Sequence, residues 1–175
     1  GMGVATVEIA KRLPDTDFLA IDVHGPGVGN ILKLIEEEHI SNIRVMRHDA
    51  VEVVEKMLED GSLDGIHIFF PDPWHKKRHN KRRLVQVPFV EKLLPKLKSG
   101  GYVHMATDWE EYAHVMRDVM EAHPDFENLH AGEGATEDDP VGGWAPRWEE
   151  RILTSFERKA REAGRRAHDL TYRRK

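Results

Sequence analysis

Apolar runs of strand length alternate with amphipathic stretches of helix length along most of this chain. That order restricts the fold more than any other feature. Residues 4–13 have the apolar spacing of a helix, ended by Pro14 and Asp15. Residues 17–23 (Asp-Phe-Leu-Ala-Ile-Asp-Val) predict a short buried strand. A helix over 26–39 follows, with Ile31, Leu32, Leu34 and Ile35 on its apolar side. The next expectations are a strand over 42–47, then a helix over 50–58 with Asp49 as its N-cap. Residues 65–70 (Gly-Ile-His-Ile-Phe-Phe) are almost wholly apolar, as a strand inside a parallel sheet must be. Residues 88–97 predict a helix, Gly100-Gly101 a turn, 102–106 a strand, 109–122 a helix and 125–130 another strand. Residues 132–147 are rich in Gly, Pro and acids and predict a mobile loop. A helical stretch near 149–162 and a strand near 166–173 complete the pattern.

This alternation implies one α/β domain over residues 1–175, built as a doubly wound, Rossmann-like sheet. Ligands of such sheets bind beyond the carboxyl ends of the strands. Asp22, His48-Asp49, Asp72 and Thr107-Asp108 fall at those four ends. One aspartate after a strand is ordinarily a turn or cap residue. Four in register point to a built site.

Charge is divided unevenly. The net charge is −5, yet residues 75–83 hold six Lys/Arg and no acid. Residues 158–175 hold eight Lys/Arg against Glu162 and Asp169, which leaves the remainder at −17. Two basic segments on an acidic body favour a localised polyanion site, for RNA or DNA, over two solvated faces. There are no cysteines, which excludes disulfides, thiolate metal sites and cysteine nucleophiles. His75 and His79 stand i, i+4 but are crowded by cations, with no third ligand in pattern, so no metal is expected. No apolar run has the length of a membrane span and no signal peptide is visible, so the expected location is the cytoplasm.

Gly1-Met2-Gly3 before a helix is a turn that a ligand could approach closely, and Asp22 follows about 20 residues later, the spacing of a ribose-binding acid. A nicotinamide dinucleotide would want a longer glycine fingerprint, so S-adenosylmethionine is the favoured cofactor, with His48-Asp49 beside its adenine. In Pro71-Asp72-Pro73-Trp74 the prolines stiffen the backbone on both sides of the acid. Trp74 could stack on a base or serve as a core aromatic. The cations that follow can pair with backbone phosphates.

These residues resemble the bacterial tRNA (guanine-N7-)-methyltransferases. The resemblance lies in Phe70-Pro-Asp-Pro-Trp-His-Lys with Arg78-His-Asn-Lys-Arg-Arg, in Asp22-Val-His with Pro26-Gly-Val-Gly, and in Arg47-His-Asp-Ala. It continues in His104-Met-Ala-Thr-Asp-Trp, Thr154-Ser-Phe-Glu and His168-Asp-Leu-Thr-Tyr, and so runs from Gly1 to the C-terminus. It implies a class I S-adenosylmethionine methyltransferase sheet. Family members carry an acid and a strand before the glycine turn, so the sheet of residues 1–175 is expected to lack its first, central strand. The approach to the Thr-x-Phe-Glu segment also departs from the family's Arg-Pro pattern, reading Trp144-Ala-Pro-Arg-Trp-Glu-Glu-Arg-Ile-Leu.

The resemblance implies that Gly1, Gly3, Asp22, Asp49 and Asp72 hold the cofactor, and that Asp72 and Asp108 are catalytic. Lys76, Asp108, Thr154, Ser155, Phe156 and Glu157 stand at substrate positions. Arg78, Lys81, Arg82 and Arg83 stand in the RNA-contacting stretch. The implied reaction methylates N7 of the guanine at position 46 in the tRNA variable region, by a monomer or homodimer. Guanine N7 already carries an in-plane lone pair and needs no base, so alignment of N7, methyl and sulfur should carry the rate. The alternatives are another nucleic-acid methyltransferase using the same cofactor, or a non-catalytic RNA-binding subunit of the same fold.

Overall fold

The strands fall into two sets. A computed structural model describes residues 3–175. In the first set, β1 (Phe18–Asp22) runs parallel to β2 (Ile43–Arg47). In the second, β3 (Leu63–Phe69) runs parallel to β4 (Leu97–Thr107), and β6 (His168–Arg174) returns antiparallel between β4 and β5 (Phe126–Asn128). Among the described residues β1 and β3 are not paired with each other. The helices are α1 (Val4–Arg12), α2 (Gly25–Glu37), α3 (Ala50–Glu52), α4 (Val87–Leu93), α5 (Glu110–Glu121) and α6 (Ser155–Glu162).

Local chemistry accounts for most boundaries. α2 starts with Pro26 in its first turn, where a missing N–H costs nothing. Asp49 caps α3, accepting from the Val51 amide at 2.8 Å. The α-helix predicted over 50–58 instead becomes a π-helical turn at Val53–Met57. The predicted Gly100-Gly101 turn is absorbed into β4. Gly100 has φ 80° and the register shifts between Leu63 and Gly65, so these glycines kink a longer strand rather than start a shorter one. The helix expected over 149–162 begins only at Ser155, where Thr154 Oγ1 accepts from the Glu157 amide at 3.2 Å.

Two cores result. Phe89, Val90 and Leu93 of α4 and Tyr112, Met116 and Met120 of α5 pack on Val103, Met105, Leu170 and Tyr172 of the second sheet. Val7 and Ala10 of α1 and Ile31 of α2 pack on Ile43 of the first. Segment 132–147 is hydrogen-bonded to α5. Arg117 of α5 is buried there and donates to Asp139 (3.0 and 2.8 Å) and to the Gly142 carbonyl (2.7 Å). Trp144 Nε1 donates to the same carboxylate at 2.7 Å. Among the described residues no helix is long and apolar enough to cross a membrane.

Candidate active site

The four aspartates stand at or just beyond carboxyl strand ends, as the alternation requires. Three share one device. Asp22 Oδ1 accepts from the His24 amide at 3.0 Å, Asp49 Oδ1 from Val51 at 2.8 Å, and Asp72 Oδ1 from Trp74 at 3.0 Å. Each carboxylate is thus folded onto the amide two residues on, which is the turn-forming use of aspartate. A carboxylate has about four acceptor positions, so each keeps capacity for a ligand.

Backbone bonds join, two by two, the strand ends that carry the acids. The His48 amide donates to the Asp22 carbonyl at 3.1 Å, joining the ends of β1 and β2. The Phe70 amide donates to the Ala106 carbonyl at 2.7 Å, joining the ends of β3 and β4. The rings of His75 and Trp109 then lie 5.1 Å apart, so the loop bearing Asp72 runs beside the one bearing Asp108.

The Pro-Asp-Pro-Trp loop is strained at both ends. Phe70 has φ 51° and Trp74 φ 41°, left-handed values for bulky side chains. Each such residue costs about 1–3 kcal/mol and persists only when its surroundings over-determine it. Arg83 does that here. It is 4% exposed, its Nε donates to the Pro73 carbonyl at 2.6 Å, and its guanidinium makes a two-point contact with Glu111. It also lies 4.5 Å over the Tyr112 ring. Glu111 is held below the usual carboxylate range by its hydrogen bonds to Arg83.

Arg83, expected in the RNA-contacting stretch, is buried instead of exposed, and its charge is used inside, where it clamps the loop that carries Asp72. Lys76, Arg78, Lys81 and Arg82 are exposed, the last three on the 3-10 turn Lys77–Arg82. The Arg82 guanidinium rests 5.1 Å from the Trp74 ring, so that tryptophan is half-buried under a cation.

Asp108 has a partner that sequence spacing could not supply. Its side chain is 12% exposed, and Oδ2 accepts from Arg165 Nε at 2.8 Å. Arg165 follows α6, in a turn where its amide bonds the Ala160 carbonyl at 2.9 Å. The 154–157 segment divides. Thr154 is spent on its cap, Ser155 is exposed, and Phe156 is exposed while its ring touches that of Phe70 at 5.5 Å. Glu157 departs from its expected substrate-facing place. It is 1% exposed and bound by Arg147 and by Arg151 Nη1 (2.8 Å). Arg151, itself 2% exposed, also binds Asp169 at 2.7 and 3.0 Å.

Of the two glycines, Gly1 lies outside the described residues. Gly3 has φ 77°, and a Cβ there would fall 2.0 Å from Ile31 Cγ1. The close packing of α1 on α2 is reason enough for that glycine, whatever a ligand requires.

Comparison with known proteins is decisive for the family. Residues 1–170 match the family model described as "Putative methyltransferase". A tRNA (guanine-N(7)-)-methyltransferase of Neisseria meningitidis serogroup A is 63% identical over 174 residues, which is 99% of this chain and 68% of that protein. The chain belongs to the tRNA (guanine-N7-)-methyltransferase family. A second such methyltransferase, from Chromobacterium violaceum, is 58% identical over all of this chain and 73% of its own length. Among solved structures, one described as "a putative methyltransferase from streptococcus mutans in complex with SAH" superposes with a TM-score of 0.57 at 12% identity, covering 100% of this chain and 84% of that one. The chain therefore has the Rossmann-like class I methyltransferase fold, with its strand-end acids on the edge where such folds bind ligands.

Proposed function

We propose that this chain transfers the methyl group of S-adenosylmethionine to N7 of a guanine in tRNA, at position 46 of the variable region. The observation that carries the reading is the four strand-end acids, Asp22 and Asp49 at or just beyond the joined ends of β1 and β2, and Asp72 and Asp108 beyond the joined ends of β3 and β4. The first pair suits the nucleoside half of the cofactor, since carboxylates accept from ribose hydroxyls and an adenine amine. The second suits the target base. Guanine offers N1–H and N2–H as neighbouring donors, which one carboxylate accepts together and adenine does not match. Asp108 is the better placed for that, being screened from water and braced on one oxygen.

N7 attacks the sulfonium methyl directly and the sulfur leaves as a thioether, so no proton moves in the bond-making step. What the residues contribute is alignment and charge. Methylation leaves a cationic purine, and carboxylates fixed nearby stabilise that charge as it develops. Asp72, held by its own backbone and by the Arg83 clamp, costs little to reorganise. Lys76, Arg78, Lys81 and Arg82 extend a cationic surface from the same loop for the tRNA backbone. The chain's location is read as the cytoplasm, where tRNA is modified.

The test is incubation with labelled S-adenosylmethionine and unmodified tRNA, followed by borohydride and aniline, which cleave at 7-methylguanine. One cleavage at the variable region is expected, lost when that guanine is replaced by adenine. Label incorporation without cleavage would replace this reading by methylation at another atom. Tight tRNA binding with no incorporation would replace it by the non-catalytic subunit.

A further inference from the structure

A cavity of about 270 Å³ opens between residues 145–151, α6 and the start of β6. Four of its lining residues are arginines, Arg147, Arg151, Arg161 and Arg166, and two are acids, Glu157 and Asp169. Both acids are buried and turned inward, Glu157 onto Arg147 and Arg151, Asp169 onto Arg151. Two of the four cations are thereby neutralised. The excess falls on Arg161 and Arg166 at the mouth. Arg161 is half-exposed, with Nη2 3.8 Å from Glu157, too far for a hydrogen bond. Arg166 is exposed beside it in the wall. A buried polar atom is also left over: Arg151 Nε has no hydrogen-bond partner. The pocket is built around cations that its own acids do not exhaust.

Its position matters as much as its charge. Arg165, next to Arg166, is the residue that braces Asp108. His168, at the start of β6, pairs with Thr107 across the strands. The cavity therefore adjoins the acid to which the target base is assigned, and its lining includes no residue of the cationic loop 76–82.

We propose that this cavity seats a single RNA backbone phosphate next to the methylated nucleotide, with Arg161 and Arg166 as its contacts. The excess of two positive charges matches a phosphodiester better than a bulkier polyanion, and the volume admits one such group. The inference rests on the proposed tRNA substrate. It adds a second grip on the RNA, separate from the cationic loop of residues 76–82.

The experiment uses the whole chain with Arg161→Gln, Arg166→Gln and the double variant. Both residues are exposed, so thermal midpoints should stay within about 2 °C of the parent. Methylation rates are measured against tRNA concentration at several salt concentrations. The double variant should raise KM for tRNA by about tenfold and leave the maximal rate within twofold. The slope of log(kcat/KM) against log[salt] should become shallower by about one per lost contact. Arg161→Lys should keep the slope, since an ammonium also pairs with phosphate. An unchanged KM and slope in the double variant, or a loss confined to kcat, would overturn the seat. Filter binding of tRNA reads the same slope without turnover. A chain that binds tRNA but does not methylate thus defeats the proposed function while still deciding the phosphate seat.

Discussion

Replacing Arg151 by Met should destabilise the fold by about 3–5 kcal/mol, the cost of removing one member of a buried ionic cluster and leaving its partners unpaired. Arg151 is 2% exposed and is shared between Glu157 (2.8 Å) and Asp169 (2.7 and 3.0 Å). Its guanidinium also faces the rings of Phe69 (5.7 Å) and Phe70 (5.2 Å), contacts a methionine stem can partly keep. For a chain of this size each kcal/mol moves the unfolding midpoint by about 2–4 °C, so a fall of about 6–20 °C is expected by calorimetry. The pH dependence tests the electrostatic origin. Burial already pushes the Asp169 carboxyl above its usual range, against the pull of Arg151. Without the guanidinium the folded state holds that proton more tightly still, while the unfolded chain titrates normally. Folded Arg151→Met therefore binds more protons than its unfolded form, and its deficit should shrink as pH falls from 8 to 5. Adding Glu157→Gln and Asp169→Asn should recover most of the loss. A deficit below about 1 kcal/mol, or one that grows at lower pH, would refute the reasoning.

Asp108→Asn should lower methylation by at least tenfold, the order expected for losing one charged hydrogen bond of about 1.5–3 kcal/mol, with cofactor affinity by calorimetry nearly unchanged. Arg83→Met should loosen the strained loop rather than RNA contact, so the salt slope of tRNA binding should match the parent while the thermal midpoint drops by several degrees. His67 and His104 are both pushed down to about 4, chiefly by burial. Below pH 6.5 the unfolded chain takes up protons that these folded rings refuse, so stability should fall from pH 6.5 towards 4, by about 1.4 kcal/mol per pH unit for each ring at most. His67→Phe should flatten that slope in urea titrations; an unchanged slope would assign the acid sensitivity elsewhere.

The strands and their end aspartates were legible because a parallel sheet writes itself as apolar runs closed by polar residues. Asp49 could be read as a cap from its place before an apolar stretch, and it caps. What escaped was anything set by distant pairing. Arg83 sits in a run of cations and looks solvated until Glu111, 28 residues on, is folded beside it. Glu157 reads as a substrate acid until Arg147 and Arg151 enclose it. Gly100-Gly101 has the composition of a turn, yet pairing with β3 draws it into a strand. Arg165 had no local signal at all, because its partner Asp108 lies 57 residues away.

That last separation bears on how the protein folds. β4 meets β6 across 61 to 71 residues, from Thr107 with His168 to Tyr102 with Arg173. Contacts so distant in the chain close slowly, because loop entropy is spent before they repay it. Asp22 and Asp49, tied through neighbouring parallel strands, can reach their final geometry early. Asp108 cannot, since its brace arrives only when α6 and β6 dock. A folding intermediate with β1 and β2 formed but β6 undocked would hold the nucleoside-side acids in place while the target-base acid still lacked its arginine. Cofactor binding should therefore return before methylation competence when the unfolded chain is diluted into buffer.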